Sequence, residues 1–98
     1  MEFTSIEKMA IIFFLGKIME ADSIIHPKEL EFMDSMYERL EVSPDNLSML
    51  EMMDLEYCKG IISEMTPDKL SLAKESFVGM ALSDGYYDPK EKILIDSL

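Results

Sequence analysis

Residues 81–98, ALSDGYYDPKEKILIDSL, partly repeat a segment near the other end of this 98-residue chain. Residues 22–36 align with residues 84–98 at a constant offset of 62 positions, and 6 of the 15 aligned residues are identical. Each copy leaves an apolar segment, crosses a short loop and enters a helical pattern that begins with proline. An aspartate opens each loop, and a glutamate follows seven positions later. The repeat predicts two similar helix–loop–helix units.

The acidic residues of the repeat have two interpretations. The sequence Pro-Lys-Glu is typical of a helix start, because proline suits the first helical position and the glutamate can close back onto the capping residue. Asp22 and Asp84 are harder to explain in this way, since both are expected at a helix C-terminus, where the helix dipole disfavours negative charge. Either each aspartate accepts hydrogen bonds from loop N–H groups in an Asx turn, or it binds a cation. The presence of two such loops favours binding.

The composition indicates a globular domain with an acidic surface. With 98 residues, of which 48% are hydrophobic, residues 1–98 are long enough to bury a core and should form a single domain. The net charge is −11, with 20 acidic and 9 basic residues. The basic residues are scattered, so nucleic acid is not expected as a partner. Cations and basic proteins are the natural ligands, unless the acidity only maintains solubility.

The apolar run near the N-terminus predicts neither a signal peptide nor a membrane span. Residues 9–15 are apolar, but Glu2 and Glu7 precede them, where a signal peptide carries basic residues. The run also falls far short of the roughly 20 residues that a spanning helix needs. The single cysteine, Cys58, allows no internal disulfide and fits a reducing compartment. We therefore expect a cytoplasmic protein without membrane insertion.

Proline marks four helix starts, each after a capping or loop residue: His26-Pro27, Ser43-Pro44, Thr66-Pro67 and Asp88-Pro89. With the apolar spacing, these starts predict helices over about residues 4–21, 27–41 and 67–83, and from 89 onward. A short helix should follow Ser43, and a helix of about ten residues should carry Leu55, Cys58 and Met65. No stretch shows the alternation of a strand between hairpin turns.

These patterns predict an all-α, single-domain helical bundle of about five to six helices, with two pseudo-symmetric helix–loop–helix units. The first helix is apolar nearly all round, which predicts a central position in the core. The fifth helix should be its counterpart, and the second and sixth helices should lie beside these two. The second helix should have one apolar face, formed by Leu30, Met33, Met36 or Tyr37, and Leu40. In the last helix, Ile93, Leu94 and Leu98 should face inward.

Two predictions concern the sulfur-containing side chains. Cys58 lies on an apolar stripe, which predicts a buried packing residue rather than a nucleophile. Most of the 10 methionines should fill the helical core. Met49, Met52 and Met53 are instead the best candidates for an exposed, adaptable patch that could receive a partner helix.

The two loops also predict a site, because five acidic side chains could converge there: Asp22, Glu29, Asp84, Asp88 and Glu91. Hard divalent cations prefer such oxygen ligands, and clustered carboxylates repel one another until a cation arrives. Ca²⁺, Mg²⁺, Mn²⁺ and Zn²⁺ are the candidate ions. The spacing is not that of an EF-hand, whose ligands alternate along a loop of about twelve residues. The alternative is that these carboxylates only cap helices.

Other chemistry finds little support in the sequence. His26 is the only histidine and Cys58 the only cysteine, so nitrogen and sulfur ligands alone cannot build a usual zinc site. The 4 glycines form no phosphate-binding loop. Paired carboxylates could do acid–base work, but nothing indicates a pocket that would tune them. We expect no enzyme activity, no catalytic residues and no cofactor other than a metal ion.

The second loop resembles a family motif. Residues 81–91, ALSDGYYDPKE, are similar to the Ala-x-x-Asp-Gly-(four to five residues)-x-Glu motif of TerB-like domains. That family includes bacterial tellurite-resistance TerB proteins and the N-terminal domain of DjlA-type co-chaperones. Its members carry the motif twice, near the ends of two long helices, in an all-helical fold. The resemblance implies a divalent metal site at four residues, Asp22, Glu29, Asp84 and Glu91, with Asp88 as a local addition.

The first copy departs from this motif. Ser23 stands where the family has glycine, and His26 stands opposite Asp88. These differences leave open whether the first site is intact. Tellurite itself is not expected as a ligand, because an oxyanion and a protein of net charge −11 repel each other.

Taken together, the sequence predicts a small TerB-like binding module for a divalent cation. The resemblance implies a role in a stress-response or envelope-associated complex, and so a protein partner. The alternative is a metal-free adaptor whose acidic face or methionine-rich patch docks a basic or amphipathic partner.

Overall fold

The computed structural model describes residues 3–21, 26–83 and 88–98, and every regular element in these ranges is helical. The ranges contain six α-helices and one 3₁₀ helix: α1 Ser5–Glu20, α2 Pro27–Arg39, α3 Pro44–Leu47, the 3₁₀ helix Ser48–Met52, α4 Leu55–Ser63, α5 Pro67–Leu82 and α6 Pro89–Asp96. The predicted all-α bundle is confirmed.

Each α-helix begins after a residue whose side chain caps its first turn: Thr4, His26, Ser43, Asp54, Thr66 and Asp88. These side chains accept hydrogen bonds from backbone N–H groups that have no partner within the helix. All four helix starts predicted from proline are confirmed. His26 is not a usual capping residue, yet its Nδ1 accepts the Lys28 N–H at 3.2 Å.

Helix α1 forms the centre of the bundle, as predicted. It packs against α2, α4, α5 and α6, and where it meets α5 the rings of Phe14 and Phe77 lie 4.6 Å apart. The buried side chains of α1 cover most of its circumference: Met9, Ala10, Ile11, Ile12, Phe14, Leu15 and Ile18.

None of the described helices is long and apolar enough to cross a membrane.

The offset of 62 residues relates α1 to α5 as well as α2 to α6. Helices α1 and α5 both have 16 residues and both begin after a threonine cap, Thr4 or Thr66. Glu7 and Lys69 are the third residues of these two helices, and 2.9 Å separates Oε1 of Glu7 from Nζ of Lys69. A contact between equivalent positions is expected where two helices pack about a twofold axis. The α1–α2 and α5–α6 pairs are therefore the two predicted units.

Helices α2 and α5 approach closely because Gly79 leaves room for Phe32. A Cβ atom at position 79 would lie 2.8 Å from Cζ of Phe32, which is closer than real contacts of this kind. Beside this contact a groove of about 350 Å³ runs between the two helices, with Leu72, Arg39 and Glu75 among its lining residues.

Three predicted side-chain positions are wrong. Ile93 is 70% exposed and Leu30 is 49% exposed, whereas Met53, predicted for a surface patch, is 7% exposed and belongs to the core. In α6 the inward face is formed by Glu91 and Ile95, four residues apart. Ile93 lies midway between them along the chain and so projects from the opposite side of the helix. The other inward positions are confirmed: Met33, Met36, Leu40, Leu94 and Leu98.

Glu41 closes α2 in a backbone conformation that glycine usually adopts. Its φ is 53°, its N–H donates to the Glu38 carbonyl at 3.1 Å, and the Val42 N–H donates to the Tyr37 carbonyl at 3.1 Å. These two bonds form a Schellman motif, in which glycine is the usual left-handed residue. A side chain in this conformation costs about 1 kcal/mol, because its Cβ approaches the following carbonyl oxygen.

We therefore expect Glu41→Gly to raise the free energy of unfolding by about 0.5–1 kcal/mol, which corresponds to a few degrees in the melting temperature. The matched control is Glu38→Gly in the last turn of α2, where a glycine should instead lower stability by about 1 kcal/mol. Thermal melts followed by circular dichroism measure both. A melting temperature for Glu41→Gly at or below that of the unmodified protein would contradict the strain at this position.

Candidate cation site and acidic surface

The structure describes three of the five candidate ligands. Glu29, Asp88 and Glu91 lie at the starts of α2 and α6. Asp22 and Asp84 lie outside the described residues, although α1 and α5 end two positions before them, as predicted. Whether the five acids converge stays a prediction.

Glu29 and Glu91 occupy the same position of their units and make the same contact. Each is the third residue of its helix, and Oε1 of Glu29 accepts the His26 N–H at 2.9 Å. In the second unit, Oε1 of Glu91 accepts the Asp88 N–H at 3.3 Å. Both glutamates are 1% exposed. A buried carboxylate is unfavourable unless hydrogen bonds or positive charge compensate it, so the repetition of this feature in both units is informative.

The residues that cap α2 and α6 share a role although they differ in charge. Oδ1 of Asp88 accepts the Lys90 N–H at 2.8 Å, just as Nδ1 of His26 accepts the Lys28 N–H at 3.2 Å. Both capping residues are half-buried. Helix capping by the three described acids is thus observed. It does not compete with cation binding, because a carboxylate has two oxygens and accepts several interactions.

Glu7 is a third capping glutamate, and its charge is compensated within the protein. Its Oε1 accepts the Thr4 N–H at 2.8 Å and the ammonium of Lys69 at 2.9 Å. Burial raises the pKa of the Glu7 carboxyl, but the Thr4 hydrogen bond and the Lys69 charge together outweigh burial and hold that pKa below its usual value. Glu7 is therefore one half of a structural ion pair between the two units, and it does not belong to the predicted site.

The described carboxylates suit a hard cation by their chemistry but do not complete a site. Carboxylate oxygens are the ligands that Ca²⁺ and Mg²⁺ use. Within residues 3–21, 26–83 and 88–98, no group of three or more His, Cys, Asp or Glu side chains is placed to hold a metal ion. The predicted site depends on Asp22 and Asp84, which lie outside the described residues.

Cys58 is a packing residue, as predicted. It is 0% exposed, and its Sγ lies 3.1 Å from the backbone carbonyl oxygen of Ala10, to which it donates. Burial raises the pKa of the Cys58 thiol to about 12. The thiol is thus protonated at neutral pH and is a poor nucleophile.

A second acidic surface lies away from the candidate ligands. Residues 41–58, here called the acidic segment, contain no lysine or arginine. The segment comprises α3, the 3₁₀ helix and the start of α4. Its acids are all exposed, and none takes part in an ion pair within the described part of the chain. They are Glu41, Asp45, Glu51, Asp54 and Glu56.

The acidic segment also exposes large apolar side chains. Met52 is 88% exposed and Tyr57 is 55% exposed. The prediction of an exposed methionine patch is correct for Met52 but not for Met53, and Met49 packs partly against the core. Sequence reasoning misses Tyr57 and the charge of the segment, although the run of 18 residues without a base is visible in the sequence.

The resemblance to TerB-like domains rests on the motif. No protein-family model matches the chain, and neither a curated protein nor a solved structure is significantly similar to it. The observed helices agree with the all-helical fold that the resemblance implies, but a fold class is shared by many unrelated functions. Membership of the TerB-like family stays a prediction.

Proposed function

We propose that the protein is a small acidic binding module that holds a divalent cation with carboxylates from its two helix–loop–helix units. The equal burial of Glu29 and Glu91, each 1% exposed at the same position of its unit, carries the proposal. One backbone N–H orients each of these carboxylates, and a ligand that is already oriented binds with less loss of freedom.

In this proposal Asp22 and Asp84 supply further ligands from the loops, and Asp88 adds a carboxylate to the second unit. The first unit has His26 at the position of Asp88, so the second unit contributes more negative charge to the shared site. The resemblance to TerB-like domains suggests a setting for this activity, namely a cytoplasmic stress-response or envelope-associated complex.

The test is a calorimetric titration of chelator-treated protein with Ca²⁺, Mg²⁺, Mn²⁺ and Zn²⁺, together with thermal melts. We expect saturable binding of at least one ion, and stabilisation of about 2.7 kcal/mol when the free ion is 100 times the dissociation constant. Asp84→Asn combined with Glu91→Gln should abolish binding. The glutamine that replaces Glu91 retains an oxygen acceptor for the cap, so the loss of stability without metal should stay near or below about 1 kcal/mol.

The matched control combines Glu31→Gln with Asp34→Asn on the exposed side of α2, which changes the net charge by the same amount. This control should retain cation binding. Absence of saturable binding at millimolar metal, or equal losses in the two double variants, would overturn the proposal.

A metal-free adaptor that docks a basic or amphipathic partner is the second candidate function. One observation favours it, namely the exposure of both acidic and apolar side chains on the acidic segment. The segment contains none of the five candidate ligands, so the two functions are separable by experiment.

A further inference from the structure

We infer that the acidic segment, residues 41–58, is a docking surface for a lysine- or arginine-rich amphipathic segment of a partner protein. This inference rests on the second candidate function and specifies its surface and the chemistry of its partner. It does not depend on cation binding, because the segment includes none of the candidate cation ligands. Two features of the segment carry it: its concentrated negative charge, and the exposure of large apolar side chains among the acids.

The negative charge of the segment is concentrated, and the nearest basic residues along the chain, Arg39 and Lys59, lie just outside it. Five exposed acids occur within 18 residues that contain no lysine or arginine. None of the five forms an ion pair within the described residues. Exposed charges of one sign create a potential that extends about a Debye length, roughly 8–10 Å, into solution. Such a surface attracts a basic partner and speeds its association.

The exposed apolar side chains are sequence neighbours of acids. Met52 follows Glu51, and Tyr57 follows Glu56. All four of these residues are exposed, Met52 most of all at 88%. Lysine and arginine have an apolar stem and a cationic head, so a neighbouring apolar surface and carboxylate complement both parts at once. An aromatic face adds attraction for the cation, and methionine adapts its shape to different partners.

Glu41 adds an observation from the backbone. It adopts the left-handed conformation, with φ of 53°, at a position where glycine would be more stable. Within the described residues its side chain forms no ion pair. The carboxylate therefore contributes charge to the acidic segment while its backbone destabilises the end of α2.

The negative charge of the acidic segment argues against other classes of partner. A nucleic acid or an anionic membrane would be repelled, since both carry negative charge. A second copy of this chain also carries a net charge of −11 and would place like charges opposite each other. A basic segment with apolar side chains between its lysines or arginines is the partner that the surface complements.

The test uses a fluorescein-labelled model peptide of leucine and lysine at helical spacing, titrated with the protein in the presence of chelator and followed by fluorescence anisotropy. Met52→Ser combined with Tyr57→Ser should raise the dissociation constant by about tenfold or more. The control variant Leu82→Ser with Ile93→Ser removes two exposed apolar side chains elsewhere, and it should change the constant by less than about twofold.

A second comparison separates local from overall charge. Glu51→Gln with Glu56→Gln should weaken binding by about tenfold. Glu31→Gln with Asp34→Asn, which removes the same charge from α2, should weaken it far less. Amide chemical-shift changes on adding the peptide should cluster in residues 41–58. Equal effects of the two charge variants, no effect of the Met52 and Tyr57 variant, or shift changes centred on the groove between α2 and α5 would overturn the inference.

Self-association is measured by sedimentation of the protein without peptide. A dimer that is lost in the Met52 and Tyr57 variant would assign the acidic segment to contact between copies of this chain, and it would also overturn the inference. A failure here is distinguishable from a failure of the proposed function, because the Asp84 and Glu91 variant leaves the acidic segment unchanged. Peptide binding by that variant, at the affinity of the unmodified protein, is the result expected.

Discussion

Replacing Phe77 with alanine should lower the free energy of unfolding by about 3–5 kcal/mol. Phe77 is 0% exposed, and its ring centroid lies 4.6 Å from that of Phe14 at an interplanar angle of 49°. The substitution removes a large apolar surface and leaves a cavity between α1 and α5, where neighbouring side chains lose contacts that water does not replace. Small domains are stable by only about 5–15 kcal/mol, so the loss is a large share of the total.

Urea unfolding followed by circular dichroism measures this loss. Phe77→Leu is the conservative variant, because leucine keeps most of the apolar volume and should cost clearly less than alanine. Leu82→Ala, at a position of the same helix that is 48% exposed, should change stability by no more than about 0.5 kcal/mol. If Phe77→Ala destabilises the protein no more than Leu82→Ala does, the α1–α5 contact is not the centre of the core.

Glu7→Gln should lower the free energy of unfolding at neutral pH by about 2 kcal/mol. The glutamine still accepts the Thr4 N–H, so the cap is retained and only the ion pair is lost. The Lys69 side chain, 19% exposed, then keeps its charge in a poorly solvated position without the carboxylate that lies 2.9 Å away in the unmodified protein. Combining Glu7→Gln with Lys69→Met removes this charge and should recover about half of the loss.

The pH dependence of this effect has a definite sign. The pKa of Glu7 in the folded protein is below its ordinary value of 4.5. The ion pair therefore contributes its full stabilisation above pH 4.5, and the contribution disappears as the pH falls through the folded pKa. The difference in unfolding free energy between the unmodified protein and Glu7→Gln should shrink over the same range. A difference that stays constant into acid would show that the substitution acts through packing.

The positions of the helices could be predicted from the sequence because their signals are local. Thr4 and Glu7 form a reciprocal capping box across three residues, and each proline stands at the first position of its helix. Both signals depend on residues within one turn, and they act whatever lies elsewhere in the chain. The repeat of 62 residues likewise survives in the structure as two helices of equal length.

The inward faces of the short helices could be predicted only in part. In α6, Glu91 and Ile95 are buried and Ile93 is exposed. The helix has several partly apolar faces, and its packing against α1 and α5 determines which of them is buried. Met53 follows a 3₁₀ helix, whose period differs from that of the α-helix on which the apolar spacing was read. Apolar spacing of the α-helical kind therefore does not predict that Met53 is buried.

The candidate site, too, could be predicted only in part from the sequence. The repeat in the sequence was sufficient to select Glu29 and Glu91, since both follow a proline in a duplicated context. It could not show that both are 1% exposed. The ion pair between Glu7 and Lys69 was also missed, because 62 residues separate its members and only the packing of α1 on α5 brings them together.

By itself, then, the sequence determined the helices of this protein, their caps and the duplication of a proline-led unit with its acidic residues, because those features depend on interactions within a few neighbouring residues. Tertiary structure decided which side chains are buried, which distant charges pair, and which acids remain exposed beside Met52 and Tyr57. These properties depend on how helices dock, and docking is determined by contacts between residues far apart in the chain.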